Sequence, residues 1–600
     1  MTRRKGFLLK SRLIIPTFFV DSINGNDAND GTSSSTPLRT LSAVSSKLTS
    51  DTKFLYLKRG SVWQEQFDVP INGLSIKVYG DSGNPPIIDG AKAISGIWTQ
   101  PDSGTYPNIW QVSYTRAQSA TTGSAHVAIW SDGEVPRYAS SLDNLQASGG
   151  YYVSDLTATS TILYIKSITD PNSNGVLYEA SHRRYCINGH AQTLGAIKMG
   201  QKIDGPIELK RAIDHYNGYT GGKGGVASRL LIRDGHIHHT VTEGYLTEDC
   251  CYIGVIPSIS SPSFAVAYTS DNPEGLSHIF RRCYAVMPTG VNRNPDGSAF
   301  YSHGTSTVSS LTIEQSCVQA TSIGGADALS VIIRDCYSEE NIGVMQVSST
   351  TNVFDVDRVI ARDLSQISYI NGNLFLRRLV GSSTVTIDNC GYWGLKGNSI
   401  QLLGGVGDRP TVTNTVIAGT TLGEGVGGGT ANITVNKCVT WCNGLMLNCA
   451  SFQGDYNIYY WVGNNNVRSI INGTLYQNLI DWQTATGHDQ NSVFCKSADQ
   501  TSGNQYALWL GVSLGINNGP ADGDWRINPG ARVYNGSGTA FIGVFSDGNT
   551  PLTVAGIQEY WDFNLRLIVN GCPNKYPIFP KTANDMRTYI TSPQSWNFYP

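Results

Sequence analysis

The segment NPDGSAFYSHG (Asn294 to Gly304) places Asp296, Tyr301 and His303 within eight residues. A carboxylate, a phenol and an imidazole this close can share acid–base work. Tyr or His can abstract a proton next to a carbonyl, and Asp can act in a carboxylate-pair hydrolysis. Acids before small residues recur at Glu243-Gly244, Asp296-Gly297 and Asp327-Ala328. Such pairs also simply shape turns, so the residue types leave both readings open. GHIHHTVTEG holds His236, His238 and His239. His236 and His238 would share a strand face, where imidazoles line a groove wall or, with a third ligand, hold a metal. No third ligand stands nearby, so sugar-like hydroxyl contact is the better reading and no metal site is expected. Glu248, Asp249, Glu339 and Glu340 add further acids that would contact substrate. Arg281, Arg282 and Arg334 would pair with substrate carboxylates or with those acids.

These residues need elements that align them, and a repeat supplies the frame. SHIFRRCYAV, SLTIEQSCVQA, SVIIRDCYSEE, TVTIDNCGYW and NITVNKCVTW each run from β-prone residues through two polar positions to Cys283, Cys317, Cys336, Cys390 and Cys438. RLLIRDGHIHH fits with Gly235 in the Cys position. Intervals vary from 19 residues (Cys317 to Cys336) to 54 (Cys336 to Cys390), as loops of unequal length would impose on a solenoid. The pattern predicts stacked coils giving short strands to parallel sheets, with the cysteines as an inward ladder of small apolar groups rather than disulfides. On that frame Glu243, Asp296 and Asp327 are expected at equivalent turns of successive coils, about 4.8 Å apart per coil. Carboxylates one coil apart suit a retaining glycosidase, and two coils apart an inverting one.

Upstream, FFVDSINGNDANDGTSSSTPLRTLSAV (Phe18 to Val44) reads as a strand, an Asn/Asp/Gly/Ser loop and a short helix from Pro37 with Leu38, Leu41, Val44 and Leu48 on one face. Too small to bury its own apolar face, it would cap the first coil and cover an open edge.

Composition narrows the classes. Among 600 residues only 15% are charged, while Gly numbers 65, Tyr 30 and Trp 12, a balance that suits turn-rich β structure. The length exceeds one compact core. A net charge of −3 gives no basic footprint for nucleic acid. No apolar run approaches the roughly 20 residues of a bilayer span, so membrane insertion is not expected. The twelve cysteines show no C-x-x-C pairs of pairs for structural zinc.

The opening stretch, LYLKRGSVWQEQFDV with IKVYGDSGNPPIIDGA, and WQTATGHDQNSVF (Trp482 to Phe494) resemble the start and close of pectin-lyase-like right-handed parallel β-helix proteins that degrade polysaccharides, most like bacteriophage tailspike depolymerases. With the repeats, the resemblance covers roughly two thirds of the chain. It implies an all-β fold, a right-handed parallel β-helix (solenoid) with a β-sandwich-like insertion and a C-terminal β region. The expected divisions are an N-terminal docking peptide (1–17), a cap with first coils (18–96), an inserted β subdomain (97–185), the catalytic β-helix (186–495) and a C-terminal β region for trimerisation or glycan binding (496–600). The implied activity is endo-cleavage of a bacterial capsular or O-antigen polysaccharide, hydrolysis ahead of β-elimination, with Glu243, Asp296, Tyr301 and His303 catalytic. His236, His238, Glu248, Asp249, Asp327, Glu339 and Glu340 would bind substrate. No cofactor is called for. The implied partners are the polysaccharide, two further copies in a homotrimer, and a phage tail or adaptor protein reached through the N-terminal peptide. Because the β-helix opens by Phe18 after a basic-apolar peptide without a cleavage site, the virion tail is the expected location. A secreted bacterial lyase or a non-catalytic adhesin would be the alternatives.

Overall fold

In the computed structural model, residues 16–115, 127–133, 139–154, 160–183, 185–188, 201–212, 225–234, 246–253, 268–271, 277–286, 298–303, 308–319, 322–326, 328–339, 344–345, 353–363, 375–378, 384–394, 400–403, 410–420, 424–427, 432–442, 445–455, 457–461, 468–495, 532–534, 541–543 and 580–593 are described. They form a parallel β-helix whose coils expose three lateral sheets. One coil shows the order. Ser277–Arg281 lies in the first sheet, Tyr284–Val286 in the second and Ser298–His303 in the third. The next coil repeats it with Val308–Glu314, Cys317–Gln319 and Ser322–Ala326, each parallel to its counterpart.

The bend between the first and second sheets explains the repeat read from the sequence. Asp249, Arg282, Gln315, Asp335, Arg358, Asn389, Asn414 and Lys437 all hold φ between 48° and 55°. A left-handed residue turns the chain sharply, and only Asn and Asp among these visit that region with ease. The following residue points into the coil, and the pairing aligns Cys250, Cys283, Ser316, Cys336, Val359, Cys390, Thr415, Cys438 and Asn457 in one column. At the bend the carbonyl two residues back accepts a backbone N–H from the neighbouring coil, as Glu314 O does from Arg282 N and Arg334 O from Gln315 N, and a small donor in the column adds a second bond. Cys336 Sγ reaches Arg334 O at 3.1 Å, Cys390 Sγ reaches Asp388 O at 3.1 Å, Ser316 Oγ reaches Glu314 O at 2.9 Å, and Thr415 Oγ1 reaches Thr413 O at 2.8 Å. Most positions of the column therefore hold a small side chain with a donor, not cysteine as such, and Val359 fills the same slot with an apolar group.

Cys317 departs from the expected ladder. Ser316 takes the inward slot, and Cys317 stands one residue later in register with Tyr284 and Tyr337. It belongs to a separate apolar cluster on the outside of the second sheet. Among the described residues ten cysteines are buried thiols, none of them in a disulfide.

The core runs continuously inside the coils from Val20 to Phe494. Thr17–Val20 pairs in parallel with Phe54–Lys58, which pairs with Ser75–Tyr79. Helix α1 spans Leu41–Lys47 and begins later than the sequence pattern suggested, because Thr40 caps it through Ala43 N. Pro37 precedes it, and Leu38 bridges to Val20 as a strand residue. Leu38, Leu41 and Val44 are fully buried, as a cap over the first coil requires.

The β-helix is interrupted after Asp89 and resumes in register. Ile187–Asn188 pairs in parallel with Phe67–Asp68, and Lys202–Lys210 with Ser75–Tyr79 and Ile87–Asp89. Between them stand two three-stranded antiparallel sheets, one of Ile109–Thr115, Tyr151–Ser154 and Ser160–Lys166, the other of Ala91–Ala93, Ile129–Ser131 and Tyr178–Ser181. They share their own core of Trp98, Val112, Trp130, Leu163 and Ala180, with helix α2 (Leu142–Ser148) alongside. A buried ion cluster joins this unit to the coils: Arg211 donates to Asp89 and to Glu179, and lies over the Trp130 ring.

At the far end, helix α3 (Leu479–Thr486) closes the stack over the buried Asp489 carboxylate. Asp489 accepts from Asn457 Nδ2 at 2.8 Å, Tyr459 OH at 2.8 Å, Trp482 Nε1 at 3.1 Å and Ser492 Oγ. Beyond it the described residues give an antiparallel pair, Arg532–Tyr534 with Phe541–Gly543, and then helix α4 (Ala583–Thr591). That helix returns to the first coils. Met586, Tyr589 and Ile590 cover Leu231, Cys251, Tyr284, Cys317 and Tyr337. Within the span expected to be a C-terminal β region (496–600), this segment is a docked amphipathic helix with a Thr582/Asp585 capping box.

Candidate functional site

The third sheet carries the described part of the catalytic proposal. Ser298–His303 pairs in parallel with Tyr268–Asp271 and with Ser322–Ala326. Register sets His303 beside Asp271, and Tyr301 beside Thr269 and Gly325. Neighbouring strands lie about 4.8 Å apart, so His303 and Asp271 occupy adjacent rungs of the sheet. Asp271 was not singled out in the sequence, although YTSDNPEG ends a strand in an acid at the same position where the next coil has His303.

Glu243, Asp296, Asp327, Glu340, His236 and His238 lie outside the described residues. The strands that flank them nevertheless bear on the expected equivalence of three turns. Glu243 and Asp327 stand before first-sheet strands, Leu246–Glu248 and Ala328–Glu339. Asp296 stands before the third-sheet strand Ser298–His303. Chain position thus groups Asp296 with Tyr301 and His303, and does not make its turn equivalent to the other two.

Three proposed substrate-binding acids have partners within the chain. Glu248 accepts from Arg281 (3.2 Å) and Arg282 (3.0 Å). Asp249 accepts from Arg282 Nε at 2.7 Å and from Tyr589 OH at 2.9 Å. Glu339 pairs with Lys581. Arg281 also bonds Glu314, and Arg334 bonds Asp355 at 2.7 Å. The arginines that could have met substrate carboxylates therefore form cross-coil pairs beside the left-handed corner.

The same corner aligns Asp357 and Asp388 on adjacent coils. Burial, and then the neighbouring Asp388 and Asp335 charges, raise the Asp357 carboxyl above its ordinary range, while Asn389 and Arg358 oppose the rise. A carboxylate pair one coil apart with one member held more protonated is the arrangement of a retaining glycosidase. Here Asn389 Nδ2 bridges the two acids at 3.0 and 2.9 Å, Arg358 bonds Asp357, and Thr413 and Asn414 bond Asp388. The acceptors are taken by the corner itself, and the pair serves as scaffold.

Among the described residues no cluster of three or more His, Cys, Asp or Glu could hold a metal, and no helix is long and apolar enough to cross a membrane.

No protein-family model matches the sequence, and no curated protein matches it. Among solved structures, the chain is similar to XylC in complex with xylose, at 9% identity and a TM-score of 0.40, covering 74% of this chain and 83% of that one. It is similar to a glycoside hydrolase at 9% identity and a TM-score of 0.30, covering 74% and 96%. It is also similar to the lacto-N-biosidase of Eubacterium ramulus at 11% identity and a TM-score of 0.25, covering 74% and 64%.

Proposed function

We propose that this protein is a bacteriophage tailspike depolymerase that binds and endo-cleaves a capsular or O-antigen polysaccharide, with hydrolysis favoured over elimination. The observation that carries the reading is the third-sheet register, in which Tyr301, His303 and Asp271 occupy neighbouring rungs across two coils. A sugar chain running across the stack would meet them in sequence. In this reading Asp296 and Glu243 supply the carboxylates of hydrolysis, Tyr301 and His303 complete the acid–base set, and Asp271 positions His303. His236, His238, Asp327 and Glu340 would extend the groove. Glu248, Asp249 and Glu339 would contribute by holding coils and the C-terminal helix in place, since their carboxylates are already paired. Three copies packed side by side and an N-terminal peptide bound to a tail adaptor would place the site at the virion tail.

The chemistry is tested with Asp296→Ala, Glu243→Ala and His303→Ala on a cleavable capsule, following reducing ends and near-ultraviolet absorbance together. Reducing-end release without new absorbance, lost in Asp296→Ala and reduced about a hundredfold in His303→Ala, is expected for hydrolysis with acid–base catalysis. Absorbance from an unsaturated uronate would replace hydrolysis with elimination. Near-wild-type rates in all three variants would move the site elsewhere, and binding without cleavage would make the protein an adhesin.

A further inference from the structure

We propose that the inserted subdomain holds a second, non-catalytic saccharide pocket that takes an acidic sugar. A cavity of about 490 Å³ opens between its two antiparallel sheets, within the roughly 300–1,000 Å³ of small-ligand sites. Ile165, Val176 and Tyr178 give it apolar wall, and Ser131, Asp132 and Lys166 give it polar rim. An apolar wall with a few placed polar groups is how a pocket fixes a ligand's orientation.

The parts are held by the fold. The Tyr178 ring is braced against Trp98, with centroids 5.4 Å apart, and its hydroxyl accepts from Asn174 Nδ2 at 3.0 Å. A braced ring offers a flat surface to the C–H face of a pyranose at little entropic cost. Asp132 and Gly133 form a turn at φ 49° and 84°. Asp132 N donates to Leu177 O at 3.0 Å, and Asp132 Oδ1 accepts from Leu177 N at 2.9 Å. The other carboxylate oxygen can accept from a sugar hydroxyl. Lys166 Nζ donates to Gln146 O. An ammonium has three donors, so two remain to meet a carboxylate on the ligand. One cation and one anion on the same rim favour a ligand with both a carboxylate and hydroxyls, which is the chemistry of a uronate. The choice of a sugar rests on the polysaccharide reading above. The pocket lies in the insertion, apart from the third-sheet site, and would hold a neighbouring length of chain without cutting it.

The test is calorimetric titration of the full chain with a β-1,4-linked glucuronate disaccharide and, as neutral control, cellobiose. Saturable binding of the uronate is expected, with cellobiose about tenfold weaker, the factor that one charge-assisted hydrogen bond supplies. Lys166→Gln should abolish that preference, and Tyr178→Ala should weaken both ligands. If Tyr178→Ala fails to fold, Lys166→Gln alone decides, because it keeps a polar, unbranched side chain at a half-buried position. Equal uronate binding by wild type and Lys166→Gln would overturn the proposal, as would no saturable binding by wild type. Polymer cleavage measured on the same preparations separates the two readings. Cleavage without disaccharide binding removes only the pocket, and disaccharide binding without cleavage removes only the depolymerase.

Discussion

A side chain one residue from its neighbour can sit in opposite environments in this fold. Cys336 fills the inward column, where its thiol meets Arg334 O, and Ser316 and Thr415 fill equivalent slots with hydroxyls. Cys317 faces the apolar cluster beneath helix α4, where its neighbours are side chains such as Met586, Tyr284 and Tyr337. Cys336→Ser should therefore cost under about 1 kcal/mol, because the new hydroxyl finds the same acceptor, whereas Cys317→Ser should cost about 1–3 kcal/mol for an unmet hydroxyl. Denaturant midpoints of the two variants check the difference. His278 gives a residue-scale pH effect. Buried in the core, its ring is held neutral, and burial lowers its pKa from 6.5 to about 3. The unfolded chain takes the proton first, so stability is undiminished above pH 6.5 and falls as pH drops below it. The slope from this group is about 1.4 kcal/mol per pH unit. Thermal melts at pH 7 and pH 5 should show the loss, and His278→Asn, if folded, should lessen it.

Helix α4 is the element whose role the sequence concealed. Arg587 clasps the fully buried Glu208 carboxylate at 2.7 and 3.1 Å, and Arg233 holds the same group at 2.5 Å. Burial alone would raise the Glu208 carboxyl, but the Arg587 hydrogen bonds and the Arg233 charge hold it below its ordinary range. The stabilisation is present above the unfolded value of 4.5 and is lost as pH falls through the lower folded value. Arg587→Ala should cost about 1.5–3 kcal/mol at pH 7, the range for hydrogen bonds to a charged group. The difference from wild type should shrink in strong acid, and urea unfolding at the two pH values measures both. The strands and their repeat were legible because period-two patterning and a recurring small residue are local signals. The docking of α4 was not, since within ANDMRTYI Tyr589 finds Asp249 340 positions away and Arg587 finds Glu208 379 positions away. The left-handed corner lay between these cases. Its polar pair before each cysteine was visible, but its role emerges only from the φ values and the i−2 carbonyl bonds. Of the site, Tyr301 and His303 were legible as a dense segment, while Asp271 became a candidate only through strand register.

At the scale of the whole molecule, coils that align side chains on long lateral sheets give a surface suited to a linear polymer. Side-by-side packing of such sheets in a trimer predicts a solution mass of about three times the 64.9 kDa chain, read by light scattering; a mass equal to one chain would contradict it. The interruption between Asp89 and Ile187 leaves the solenoid register intact, which explains why an inserted subdomain can stand there without disturbing the stack. The central claim, that a polysaccharide chain is cut internally on this surface, is tested most directly by the size distribution of purified capsules and O-antigens during incubation with the protein. The account predicts that one of them falls early and broadly in molecular mass, ending in short oligosaccharides of a fixed repeat. A polymer that stays full-length throughout, for every capsule bound, would contradict it.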